Sequence, residues 1–161
     1  MSERRYSVSG NCINTASSTL PIGNLLGATT IRPSIYEVII GSDATPAETS
    51  VKYAFQRQTT AGTWAGSGGA ALTPQPIDPG NTVVSACAAN QGVCSVGPTL
   101  TASTFFMNTG LHQRATLVWK AYDEGARLVI PATANNGLSL MSLVVNGAGA
   151  VNAVFCIEFG E

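Results

Sequence analysis

The chain has 161 residues, 45% of them apolar and only 11% charged, with a formal net charge of −1 and a mean hydropathy of +0.20. Ordinary soluble domains carry roughly a quarter charged residues. So neutral a chain offers no bulk electrostatic case for nucleic acid or an anionic membrane, and no run approaches the roughly 18 apolar residues that cross a bilayer as a helix.

The opening MSERRYSVSG has no apolar stretch of the secretory kind, so synthesis in a cytosol is expected. Arg4, Arg5 and Tyr6 are candidate interface residues, because two guanidiniums can hold an acidic patch on a neighbour. A frayed, solvated terminus is the competing reading. Residues 1–33 read as an N-terminal arm or edge segment, and 34–161 as one domain.

From there the hydrophobic period is mostly two. Residues 34–41 (SIYEVIIG) set Ile35, Glu37 and Ile39 against Tyr36, Val38 and Ile40. Residues 43–50 (DATPAETS) suit one helical turn, with Pro46 at a permitted early position. Residues 51–59 alternate imperfectly, with Val51, Tyr53 and Phe55 on one face. Two long connections follow. Residues 61–79 are rich in Gly, Ala and Pro and include Trp64; residues 81–97 hold Cys87 and Cys94.

The Thr-rich, aromatic residues 98–107 favour a strand. Strand patterns recur over 114–122, 127–130, 138–145 and 151–159; the last places Val151, Ala153, Phe155, Ile157 and Phe159 on one face. Turn signals fall at 122–125, at Asn136-Gly137 and at 146–149. Seven or eight short antiparallel strands with long loops predict an all-β sandwich, most simply a jelly roll.

Between Gln58 and Gln113 the only formal charge is Asp78. Charge keeps folded surfaces apart. Some of this surface is therefore expected to be covered by other protein, unless Ser, Thr, Asn and Gln solubilise it.

The stretch SACAANQGVCS raises a question of chemistry. Cys87 and Cys94 are too widely spaced for a zinc knuckle, and the single histidine, His112, is far along the chain. A redox pair would want Cys-x-x-Cys at a helix start. An intrachain Cys87–Cys94 disulfide, worth about 2–3 kcal/mol in the entropic account, and two free thiols both remain open. Cys12 and Cys156 read as buried free cysteines.

Catalysis has little to build on. His112 must serve any Ser-His or Cys-His pair, and no Gly-x-Ser-x-Gly elbow occurs. Asp123-Glu124 read as turn residues. The Gly-rich AGSGGAA lacks the Gly-Lys-Ser/Thr ending of a phosphate cradle. No catalytic, cofactor or metal residue is assigned. Trp64, beside that loop, is a candidate contact for a partner or a sugar ring, or a cap on its own core.

Five segments carry a resemblance: ATTIRPSIYEVIIGSDATPAE (28–48), YAFQRQTTAGT (53–63), LTPQPIDPG (72–80), LHQRATLVWKA (111–121) and LVIPATANNGL (128–138). In order and spacing, across roughly residues 15–161, they resemble a group of small tailed-phage proteins, jelly-roll virion proteins of the capsid decoration or cement type. The Cys87–Cys94 stretch departs from that pattern, in which the loop is polar and lacks cysteine. The resemblance implies a homotrimer bound to the major capsid protein on the capsid exterior, with no nucleic acid, membrane or cofactor. A carbohydrate- or receptor-binding sandwich of a fibre or tail, stacking sugars on Trp64 or Trp119, is the alternative.

Overall fold

The computed structural model describes residues 3–13, 20–43, 45–101, 105–143 and 152–161. The first half carries β1 (Arg5–Cys12), β2 (Pro21–Leu26), β3 (Ser34–Asp43), β4 (Ser50–Gln58), β5 (Ala70–Leu72) and β6 (Gln75–Pro76). The second carries β7 (Ala88–Gln91), β8 (Met107–His112), β9 (Leu117–Lys120), β10 (Leu128–Val129), β11 (Gly137–Leu143) and β12 (Asn152–Gly160). The protein is an all-β sandwich of two antiparallel six-stranded sheets.

One sheet runs β10-β3-β12-β1-β6, with β9 sharing the β3 edge with β10; the other runs β5-β7-β2-β11-β4-β8. The core fills the space between them. β12 contributes Ala153, Phe155, Ile157 and Phe159, and β4 contributes Val51, Tyr53 and Phe55, as their alternation predicts. Phe155 lies over two glycines. A Cβ at Gly23 would come within 2.3 Å of its ring, and one at Gly10 within 2.7 Å.

β1 and β2, expected to belong to an arm or edge segment at 1–33, are inner strands. β1 lies inside the first sheet, paired with β12 from Arg5↔Gly160 to Cys12↔Ala153, and β2 lies inside the second, between β7 and β11. The period in β3 also breaks. A bulge opposite Glu158/Phe159 lets Ile35, Val38 and Ile40 all face the core. The helical turn expected at 43–50 is absent from its described residues, Asp43, which ends β3, and 45–50. Its polar groups go to Gln113 instead: Ala47 N–H donates to Oε1 at 2.8 Å, and Nε2 donates to Thr49 Oγ1 at 2.8 Å. The strand expected over 98–107 comes later, as β8; only an isolated bridge, Gln58↔Leu100, falls within 98–101. The turn expected at 146–149 lies outside the described residues, as do 144–145 and Val151.

The two sheets differ on their outer faces. The second is covered. Ala54, Met141 and Leu143 form a small second cluster on it, roofed by Leu100 and Phe105. Beside them lies a buried polar network. Gln58 Oε1 accepts from Ser139 Oγ and, at 3.3 Å, from Asn24 Nδ2; Asn90 Nδ2 donates to Asn24 Oδ1 at 3.0 Å; and Gln58 Nε2 donates to Thr60 O at 2.8 Å. Buried amides are stable only when paired in this way. The network fastens the Trp64 loop to the sheet.

Candidate functional site

The predicted interface residues at the chain's start meet the residue after β12. Arg4 and Glu161 exchange both backbone hydrogen bonds, at 3.2 and 2.9 Å. The Glu161 carboxylate then reaches into the cysteine loop. It accepts from Ser85 Oγ, from Ala86 N at 3.3 Å and from Cys87 N at 3.1 Å. Arg4 itself is exposed and has no side-chain partner among the described residues.

Arg5, on the opposite parity, turns to the outer face. Its guanidinium lies 4.9 Å from the Tyr36 ring centre, and that of Arg127 lies 4.7 Å from the same ring. Arg127 also binds Glu3, with Nη1 2.9 Å from each carboxylate oxygen. Burial, and next the Glu3 charge, push the Tyr36 hydroxyl above its usual range, against the opposing charges of Arg5 and Arg127.

Tyr6 is a core residue. It is 0% exposed, stacks on Phe159 at 5.7 Å, and donates its hydroxyl to Val83 O at 3.1 Å. Its parity with Val8 and Cys12 turns it inward, so it has no surface to offer a partner. That bond instead holds the loop carrying Val83 and Val84 against the sandwich.

Between β1, the Glu161 end and residues 77–81 lies a cleft of about 780 Å³, whose walls include Arg4, Arg5, Ile77, Asp78, Asn81 and Glu161. Sequence reasoning found the arginines but missed Ile77, Asn81 and Glu161. The uncharged stretch that follows Asp78 is the one sequence signal beside the cleft, and its apolar side chains are exposed: Val84 is 71% exposed, Val83 43% and Ile77, before Asp78, 46%.

All four cysteines are free thiols. The Cys87–Cys94 bridge is not formed. β7 runs extended between the two positions, and an extended chain advances about 3.3 Å per residue, carrying them apart. Cys87 belongs to the main core beside Glu161; burial is the chief cause that raises its thiol pKa, and the carboxylate adds to it. Cys94 is pushed up to about 12 by burial, with the charge of Cys12 as the second cause, and Cys12 to about 11 by burial. Cys156, opposite Ser9 on the outer parity, is half-buried.

Trp64 is half-buried and donates Nε1–H to Ala61 O at 2.9 Å. Its loop is zipped to the cysteine loop by Thr63 N to Val96 O at 2.9 Å, Ser95 N to Thr63 O at 2.8 Å and Gly66 N to Val93 O at 3.1 Å. Trp119 packs edge-on against Phe55, with ring centres 6.4 Å apart. His112 ends β8. Its Nε2 is 3.2 Å from Glu48, and its Nδ1 accepts from the Arg114 amide at 3.3 Å. Among the described residues no group of three or more His, Cys, Asp and Glu is placed to hold a metal ion.

No family model, curated protein or solved structure matches this chain.

Proposed function

We propose that this protein is a phage virion structural protein: a decoration or cement protein that binds the outer capsid surface, joins neighbouring capsomers and acts as a homotrimer. The observation that carries this reading is the uncharged surface of residues 59–112. Five of its apolar side chains, Ile77, Val83, Val84, Val96 and Phe106, are exposed, and Asp78 is its one formal charge. Apolar residues without neighbouring charge suit the buried centre of a protein interface, and exposed apolar surface marks an interaction site where it is contiguous.

Strand order supports the architecture proposed with it. The four-strand orders β1-β12-β3-β9 and β2-β11-β4-β8 interleave early and late strands as the two Greek keys of a jelly roll do. The carbohydrate-binding reading draws less support, since Trp64 is tied into its own loop and Trp119 packs on Phe55.

The test is to mix purified protein with undecorated capsids of its phage. Stoichiometric co-sedimentation and a rise in capsid heat resistance are expected. Failure of both overturns the reading. A native mass other than three chains overturns the trimer alone.

A further inference from the structure

We propose that the cleft between Arg4, Ile77, Asn81 and Glu161 is a carboxylate-binding site, which takes one Asp or Glu side chain flanked by apolar residues from an extended segment of a partner. The inference rests on the reading above in taking that partner to be a protein.

The argument is one of donors and acceptors. Three carboxylates rim the cleft, and each has a partner within the chain. Glu3 is bound by Arg127, at 2.9 Å to both oxygens. Asp78 Oδ1 accepts from Gly80 N at 2.8 Å. Glu161 accepts from Ala86 N and Cys87 N at 3.3 and 3.1 Å.

The donors are not matched in the same way. The Arg4 guanidinium has no partner among the described residues, although its backbone is fixed by both bonds to Glu161. Asn81 uses its Oδ1 to accept from Val83 N at 3.1 Å, which leaves its buried Nδ2 with no partner. A buried donor without an acceptor carries a desolvation cost that a ligand oxygen would remove. A guanidinium presents its N–H groups in a fork that fits the two oxygens of a carboxylate.

The charges around the cleft limit the ligand. Arg4 and Arg5 stand against Glu3, Asp78 and Glu161 on its walls. Arg127 offsets Glu3, which leaves Arg4 and Arg5 against Asp78 and Glu161: one carboxylate can pair with the free Arg4 guanidinium, whereas a polyanion meets the remaining carboxylates and is repelled, so a nucleic acid strand does not fit. Ile77 lines the cleft, and Val83 and Val84 are exposed in the segment that continues from Asn81; all three suit apolar neighbours of the acidic residue.

The test uses the ¹⁵N-labelled full chain, followed by NMR at the Arg4 Nε–H and Asn81 Nδ2–H₂ signals. The probes are N-acetyl-Leu-Glu-Leu-amide, the same tripeptide with Gln for Glu, and inorganic phosphate. Saturable shifts of both signals by the Glu tripeptide are expected. Binding at least about tenfold weaker is expected for the Gln tripeptide and for Arg4→Gln, as is weakening with salt. No saturable shift, an equal response to the Gln tripeptide, or phosphate binding as tightly as the Glu tripeptide overturns the site. Capsid binding by Arg4→Gln separates the two readings. If capsids bind the variant and the parent equally, the site is overturned and the decoration role stands. If the Glu tripeptide binds while capsids bind neither protein, the site stands and the decoration role falls.

Discussion

The Glu161 carboxylate holds the Cys87 amide at 3.1 Å, so the residue that follows β12 anchors the start of the cysteine loop. Ser85 and Ala86 donate to the same carboxylate. Glu161→Ala leaves these donors without their acceptor. A loss of about 1–2 kcal/mol in urea unfolding is expected, because Glu161 is partly exposed and water replaces some of what is lost. Amide exchange at Ala86 and Cys87 should accelerate while the β1–β12 ladder stays protected. Unchanged exchange at Ala86 and Cys87 would show that the loop is held by something else.

The buried thiols make the fold sensitive to alkali. Burial raises Cys12 from 9.0 to about 11 and Cys94 from 9.0 to about 12, and raises Cys87 as well. In the unfolded chain these thiols ionise near their ordinary value. Between pH 9 and 11 the unfolded state therefore binds fewer protons than the native one, and stability falls as pH rises. The expected slope reaches about 1.4 kcal/mol per pH unit for each thiol fully ionised only when unfolded. Denaturant unfolding at pH 7, 9 and 10 reads it, and Cys12→Ala should flatten it. At neutral pH an alkylating reagent should reach Cys156 first.

Gln58 is the hub of the polar layer over the second sheet. Gln58→Ala removes the acceptor of Ser139 and Asn24 and the donor to Thr60, all in a buried setting. A loss of about 2–4 kcal/mol is expected, since several groups are orphaned at once. Trp64 fluorescence should shift toward that of a hydrated indole, because its loop is fastened through this network. A Gln58→Glu variant keeps the acceptors and loses the donor, and should lie between the two.

Gly23 leaves room for the Phe155 ring. A methyl group there would sit 2.3 Å from ring carbons, so either the ring or the strand must move. Gly23→Ala is expected to cost about 1–3 kcal/mol as an overpacking change. Pairing it with Phe155→Leu should recover part of the loss. A double variant no better than the sum of the two single changes would show that Phe155 is not the obstacle.

Much of the sandwich was legible because its strands keep one wet face. In β12 the alternation of Ala153, Phe155, Ile157 and Phe159 identified the core face directly. β2 gave no such signal. All six of its residues are buried, since the Trp64 loop and the polar network cover the face that would otherwise meet water. A strand covered on both sides loses its alternation, and residues 21–26 carry none that marks them as a strand. Tyr6 neighbours Arg4 and Arg5 in sequence, but its parity with Val8 points inward. The cysteine pair misled because spacing along a chain gives no spatial separation once a strand intervenes. The cleft was the least legible feature, since it joins residues 4, 77–81 and 161, which come together only through the β1–β6 and β1–β12 pairings.

The β1–β12 pairing also sets the order in which the molecule can be made. Tyr6 lies opposite Phe159, and β12 separates β1 from β3 in the finished sheet. Until β12 has left the ribosome, β1 and β3 both present open edges where it will insert. Contacts so distant in sequence form slowly, and unpaired strand edges invite the wrong partner. The nascent chain therefore carries an aggregation hazard from the emergence of β3 until β12 completes the sheet.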